Sequence, residues 1–130
     1  MCDTAHRTEG ETVPVGDGPD GVELSSDGSR LYVANGTSGS VSVIDTERKR
    51  TVGDAIPVGH APTQLGVAAD GRRVHVANGT SDSVSVIDTA TREVGTVAVG
   101  SRPAGLAVSP NGRQVYVANG GSGSVSVITF

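Results

Sequence analysis

One pattern is written three times in this chain, and that limits its fold more than any single residue does. The segments VPVGDGPDGVELSSDGSRLYVANGTSGSVSVIDT, IPVGHAPTQLGVAADGRRVHVANGTSDSVSVIDT and VAVGSRPAGLAVSPNGRQVYVANGGSGSVSVITF follow one another along its 130 residues. Their landmarks stay in step at spacings of 43 and then 41 residues: Gly16, Gly59 and Gly100; Pro19, Pro62 and Pro103; Gly28, Gly71 and Gly112; Asn35, Asn78 and Asn119. A fixed period of this length marks stacked supersecondary units, each too small to bury its own apolar surface. The 19 glycines therefore read as repeated turns rather than low complexity, since disordered sequence has no reason to keep them in register.

Within a unit, Asp27-Gly28, Asp70-Gly71 and Asn111-Gly112 separate two apolar runs. Such dipeptides tolerate positive φ and form tight hairpins, so they join a strand A to a strand B. Strand B reads RLYVAN, RVHVAN and QVYVAN, with Leu31 and Val33 on one face and Tyr32 and Ala34 on the other. Both faces are largely apolar and need cover, which stacked sheets supply and a half-solvated sheet does not. NGTSGS and its copies turn the chain into strand C, SVSVID, whose serines are small enough for close sheet packing. Asp45-Thr46 and Asp88-Thr89 then open a polar turn into strand D, which ends at IPVG or VAVG.

No segment carries a helical apolar period. Four short strands in each unit predict an all-β fold of β-propeller blades: three tandem four-stranded antiparallel repeats, a partial propeller as a single chain. The expected layout is a disordered tail over 1–10 and a three-blade domain over 11–130, with a lone strand D at 11–16 and repeats at about 17–59, 60–100 and 101–130. Twelve strands follow, in the order D-ABC-D-ABC-D-ABC, with strand B at Arg30 to Ala34, Arg73 to Ala77 and Gln114 to Ala118.

The tetrapeptides Tyr32-Val33-Ala34-Asn35 and Tyr116-Val117-Ala118-Asn119, with His75-Val76-Ala77-Asn78 between them, resemble the naming motif of the YVTN β-propeller repeat family. The likeness runs through SVSVID, the proline, strand A and the Asp-Gly turn, covering residues 11–130. Ala replaces Thr in all three copies and His75 replaces Tyr in one. The resemblance implies the propeller fold and is nearly silent on activity, because relatives include surface-layer and exported proteins of unassigned role.

Composition narrows the partners. Ten Lys and Arg against fourteen Asp and Glu leave a net charge of −4, which attracts neither nucleic acid nor an anionic membrane. Residues 1–10 hold no apolar signal segment and no run is long enough to span a bilayer. A cytoplasmic location is expected at face value, although members of the resembled family are often exported. Cys2 has no second cysteine to pair with and reads as a free thiol.

Several motifs invite chemistry that their context denies. Gly16-Asp17-Gly18-Pro19-Asp20-Gly21 spells a dinucleotide fingerprint, but that mechanism needs a helix after the glycines, and here a strand and hairpin follow. Asn35-Gly36-Thr37 and Asn78-Gly79-Thr80 match a glycosylation acceptor and read instead as turns. His6, His60 and His75 fall in a tail, a loop and a strand, so no metal site is expected, and no cofactor is expected either. His75 reads as a packed core residue.

Strand alternation sends the D–A and B–C connections to one rim and the A–B and C–D turns to the other. Eight of the ten basic residues (Arg30, Arg48, Lys49, Arg50, Arg72, Arg73, Arg92 and Arg113) crowd the second rim among acidic neighbours, which predicts a solvated mixed-charge surface. On the first rim a fixed loop carries changing side chains: Asp17, Gly18 and Asp20 become His60, Ala61 and Thr63, then Ser101, Arg102 and Ala104, while Gln64 stands where Gly21 and Gly105 do. Variable side chains on a repeated frame are how repeat scaffolds make binding sites. Asp17, Asp20, His60, Gln64 and Arg102 are therefore the candidate ligand residues. Glu23 is unexpected in the innermost strand, where a carboxylate must reach water or a cation.

No acid, base, nucleophile or metal cluster can be paired from spacing, so the sequence predicts a non-catalytic scaffold or binding module for a protein or small molecule, not an enzyme. Two alternatives stand beside it. One is a structural, surface-layer-like component. The other is an enzyme of lyase or hydrolase type with its site at the channel mouth, where Asp17, His60 and Arg102 would converge. Three blades are too few to close a ring, so self-association into a six-bladed homodimer, or further blades of a longer chain, is expected to cover the ends.

Overall fold

A computed structural model of the protein describes residues 12–130. Among these residues there is no helix, and every paired strand is antiparallel. The first blade contains β1 (Pro19–Leu24), β2 (Arg30–Asn35) and β3 (Ser40–Asp45), with β4 (Arg50–Thr51) and β5 (Ile56–Pro57) both pairing with β3. β6 (Pro62–Val67), β7 (Arg73–Asn78), β8 (Ser83–Asp88) and β9 (Val94–Ala98) make the second. The third is β10 (Pro103–Val108), β11 (Gln114–Asn119) and β12 (Ser124–Thr129). The hairpin glycines Gly28, Gly71 and Gly112 sit at φ near 74°, the left-handed conformation their turns require.

The strand order departs from expectation at its start. Residues 12–15 form no strand, and residue 11 and the tail 1–10 lie outside the described residues. A leading strand D needs the edge of a strand C beside it. Among the described residues the strand C without an outer neighbour is β12, two blades away. Twelve strands are nevertheless present, because the outer strand of blade 1 is broken into β4 and β5. The break also accounts for the unequal repeat spacing. Lys49 and Arg92 are equivalent, as are Ile56 and Val97, so blade 1 carries two extra residues between these points. The extra chain bulges at Gly53, with φ of 69°, and Arg92 of blade 2 fills the bulge by donating to the carbonyls of Val52 (2.7 Å) and Asp54 (3.4 Å).

Two apolar layers hold the blades together. Tyr32, Ala34, Val41 and Val43 of blade 1 meet Leu65, Val74, Val76 and Ile87 of blade 2. Val84 and Val86 of blade 2 meet Leu106, Val115, Val117 and Ile128 of blade 3. The inner strands come so close that a Cβ on Gly66 would lie 2.6 Å from Leu106 Cδ1.

Each blade also carries one buried polar clamp at the end of strand B. The Nδ2 of Asn35 donates to Ser40 and Ser42, that of Asn78 to Ser83 and Ser85, and that of Asn119 to Ser124 and Ser126. Gly16, Gly59 and Gly100 press against these amides, where a Cβ would sit 2.7–2.8 Å away. The asparagines are buried, so Asn35 and Asn78 serve the fold and cannot present themselves to a glycosyltransferase.

His75 takes the place of Tyr32 and Tyr116 at the interface of blades 2 and 3. It is fully buried, with Phe130 5.2 Å away and neither ring nitrogen hydrogen-bonded. Burial, and secondarily the charge of Arg73, lower its pKa to about 4. Glu23, by contrast, is exposed to water, which removes the cost of placing it on β1.

Candidate functional site

The D–A loops are built identically in all three blades. The backbone N–H of Asp17, His60 and Ser101 donates to the hydroxyl of Ser38 (2.6 Å), Ser81 (2.7 Å) and Ser122 (2.6 Å) in the neighbouring B–C turn. In return Gly36, Gly79 and Gly120 donate their N–H to the carbonyls of Gly18, Ala61 and Arg102. The residue after each latch is left-handed: Gly18 at φ 67°, Ala61 at 53° and Arg102 at 52°. Glycine adopts this conformation without penalty, whereas alanine and arginine must be held there by the surrounding hydrogen bonds. Arg102 has one more such bond, from its N–H to Asp82 Oδ1 at 3.0 Å.

This frame brings Asp17, Asp20, His60, Gln64 and Arg102 to one rim, all exposed. Asp17 and His60 hold the same place in successive blades, and Arg102 stands one residue further on in the third. No hydrogen bond or ion pair joins these side chains to one another or to any other described residue. Asp17, His60 and Arg102 share this rim, with no hydrogen bond or ion pair between their side chains. Among the described residues no group of three His, Cys, Asp or Glu side chains is placed to hold a metal.

The opposite rim has clefts of its own, a feature the sequence did not announce. One of about 370 Å³ lies between blades 1 and 2, lined by Ser25, Asp27, Arg30, Asp70 and Thr89 among others. A second, of about 270 Å³, repeats it between blades 2 and 3 with Asp70, Arg72, Arg73 and Asp88. Their ionisable groups are largely spent on turn geometry. Hydrogen bonds from Ser25, then from the backbone and hydroxyl of Ser29, lower Asp27 to a pKa of about 2. Backbone N–H donors, that of Arg48 foremost, hold Asp45 below the usual carboxylate range, and those of Thr91 and Ala90 do the same for Asp88. Arg30 and Arg48 both lie 3.7 Å from Asp45. The hydroxyls of Thr46 and Thr89 tie the C–D turns to the carbonyls of Gly28 and Gly71. This is the mixed-charge rim that the basic residues predicted.

Comparison with known proteins places this geometry in context. A family model described as "Lactonase, 7-bladed beta-propeller" matches residues 3–98. No curated protein matches. Among solved structures, the hydrazine synthase of Kuenenia stuttgartiensis is 31% identical with a TM-score of 0.83, over 95% of this chain and 36% of that one. A Bacteroides uniformis protein described as a 6-phosphogluconolactonase is 17% identical with a TM-score of 0.76, over 88% of this chain and 36% of the other, a likeness of fold. The chain therefore spans about a third of the length of both.

These matches overturn the expectation of a non-catalytic scaffold and of a protein that is not an enzyme. The family match favours the alternative of a hydrolase-type site on a propeller. Spacing failed to show it because a propeller site draws single residues from several blades, so no compact motif forms. Since the family match runs unbroken through two complete blades, the chain belongs to the seven-bladed lactonase β-propeller family.

Proposed function

We propose that this chain supplies YVTN-type blades to a lactone-hydrolysing propeller, with the substrate at the D–A rim. The family match carries the reading of the reaction. The unspent polar side chains on latched loops support the choice of rim, because the carboxylates of the opposite clefts are already engaged.

Lactone hydrolysis adds water to an ester carbonyl and breaks the ring C–O bond, giving a hydroxy carboxylate and a proton. His60 is the general base that takes the proton from water and returns it to the departing alkoxide. Arg102 faces the oxyanion that develops on the carbonyl oxygen, or an anionic group elsewhere on the substrate. Asp17, Asp20 and Gln64 accept and donate hydrogen bonds to sugar-like hydroxyls. A substrate of the kind named for the Bacteroides uniformis protein, a phosphorylated gluconolactone, suits this mixture of one cation and several hydroxyl-binding groups.

The test is acid release in a pH-stat with glucono-δ-lactone and 6-phosphogluconolactone. A rate above spontaneous hydrolysis is expected, reduced at least tenfold by His60→Ala and by Arg102→Ala with unchanged circular dichroism. Hydrolysis that survives both substitutions would move the site to the other rim. No rate above background, with the protein folded, would defeat the reading.

A further inference from the structure

The clefts between neighbouring blades repeat, but their interiors do not. Arg30, Tyr32 and Thr89 meet at the junction of blades 1 and 2, and the repeat sets Arg73, His75 and Phe130 in the same three places at the junction of blades 2 and 3. The backbone bears out the equivalence: Thr89 donates its N–H to the carbonyl of Arg72 (3.1 Å), and Phe130 donates its own to that of Arg113 (2.8 Å). Phe130 therefore projects from the position of Thr89. Its ring lies 5.2 Å from that of His75, and the guanidinium of Arg73 covers it at 4.9 Å from the centroid. One junction is thus plugged by an aromatic ring of the chain itself, held beneath a cation.

At the other junction the side chain in that place is short. Thr89 turns its hydroxyl to the carbonyl of Gly71 (2.6 Å). A cavity of about 210 Å³, walled by Val43, Val52, Ile56 and Ile87, adjoins the cleft of about 370 Å³, and Arg30, Tyr32 and Thr89 line both. Arg30 covers no ring among the described residues and holds only the Ser29 carbonyl at 3.3 Å and Asp45 at 3.7 Å. Tyr32 is 6% exposed, yet its hydroxyl makes no hydrogen bond to any described residue. Burial raises its pKa, so the hydroxyl keeps its proton and can donate it.

We propose that the junction of blades 1 and 2 binds a small phenol. The ring takes the place that Phe130 holds in the next junction, under the Arg30 guanidinium and against the aliphatic wall, and its hydroxyl pairs with that of Tyr32. A cation is drawn to the π face of an electron-rich ring, which a phenol supplies. An aromatic carboxylate suits the place less, because Asp27 and Asp70 stand in the outer cleft. The site lies on the rim opposite the D–A loops and is complete within blades 1 and 2, so it does not rest on the lactone reading or on either end face of the arc.

p-Cresol is the probe, titrated by NMR against the ring signals of Tyr32 and Tyr116, the chain's two tyrosines. Tyr32 should shift saturably. Thr89→Phe, which builds into blade 2 the plug that blade 3 carries, should abolish the binding. Tyr32→Phe should weaken p-cresol about tenfold and leave toluene unchanged, a difference that a general loosening of the junction would not make. If Thr89→Phe fails to fold, the Tyr32→Phe comparison decides. Binding that survives Thr89→Phe in a folded protein, equal losses of p-cresol and toluene in Tyr32→Phe, or a shift confined to Tyr116 would each overturn the proposal. So would the absence of any shift at Tyr32 with millimolar p-cresol.

Discussion

His75 is the residue at which one blade departs from the other two, and acid should reveal the difference. Its folded pKa of about 4 lies below its ordinary 6.5. Above pH 6.5 the ring is neutral in both states and stability does not depend on it. Between 6.5 and about 4 the unfolded chain binds a proton that the folded chain refuses, so stability falls as pH falls. Below that both states are protonated and the loss levels off at about 3 kcal/mol. Urea titrations at pH 7 and pH 4.5 should show the loss, and His75→Tyr should abolish most of it, since a tyrosine stays neutral throughout. An equal loss in both proteins would clear His75 of the effect. The clamp asparagines make a second residue-scale prediction. Asn78→Ala removes the partner of Ser83 and Ser85 and of the Gly59 N–H, and should cost about 2–4 kcal/mol in urea unfolding. Asn78→Asp should not rescue it, because it places a carboxylate charge where the side chain is fully buried.

The element that most needs explaining is the broken outer strand of blade 1. Arg92 holds the bulge from the neighbouring blade, so Arg92→Ala should cost about 1–2 kcal/mol and speed amide exchange around Val52 to Asp54. Deleting Gly53 and Asp54 should restore a continuous strand like β9. In that background Arg92→Ala should be nearly neutral, a coupling that a double-mutant cycle would read. Strands and turns were legible in the sequence because each is signalled locally, by an Asp-Gly turn, an alternating SVSVID or an apolar RLYVAN. The bulge was written there too, as the difference between spacings of 43 and 41, but its filler was not. Arg92 acts across 40 positions of chain, and in the repeat it looks like any other basic turn residue. The candidate site behaved the same way: the variable positions could be read from the repeat, and the reaction could not, because Asp17, His60 and Arg102 come from three blades and form no motif along the chain.

At the scale of the whole molecule, the apolar side chains exposed at the two end faces, Val22 at one and Val125 and Val127 at the other, are where any association is expected first. If copies associate through these faces, the melting temperature should rise with protein concentration, and Val127→Asp should abolish that rise while leaving the fold of each blade intact. A melting temperature independent of concentration over a hundredfold range would speak for an isolated arc. The curvature of the arc is the sum of the turns between neighbouring blades. Gly66 bears on the turn between blades 2 and 3, because a Cβ there would come within 2.6–2.8 Å of the Leu106 and Val108 methyls and press them away. Widening the wedge at this one position would spoil the angular sum without harming any blade. The arc would then open flatter, and small-angle X-ray scattering of Gly66→Val should read a longer particle than the unaltered protein.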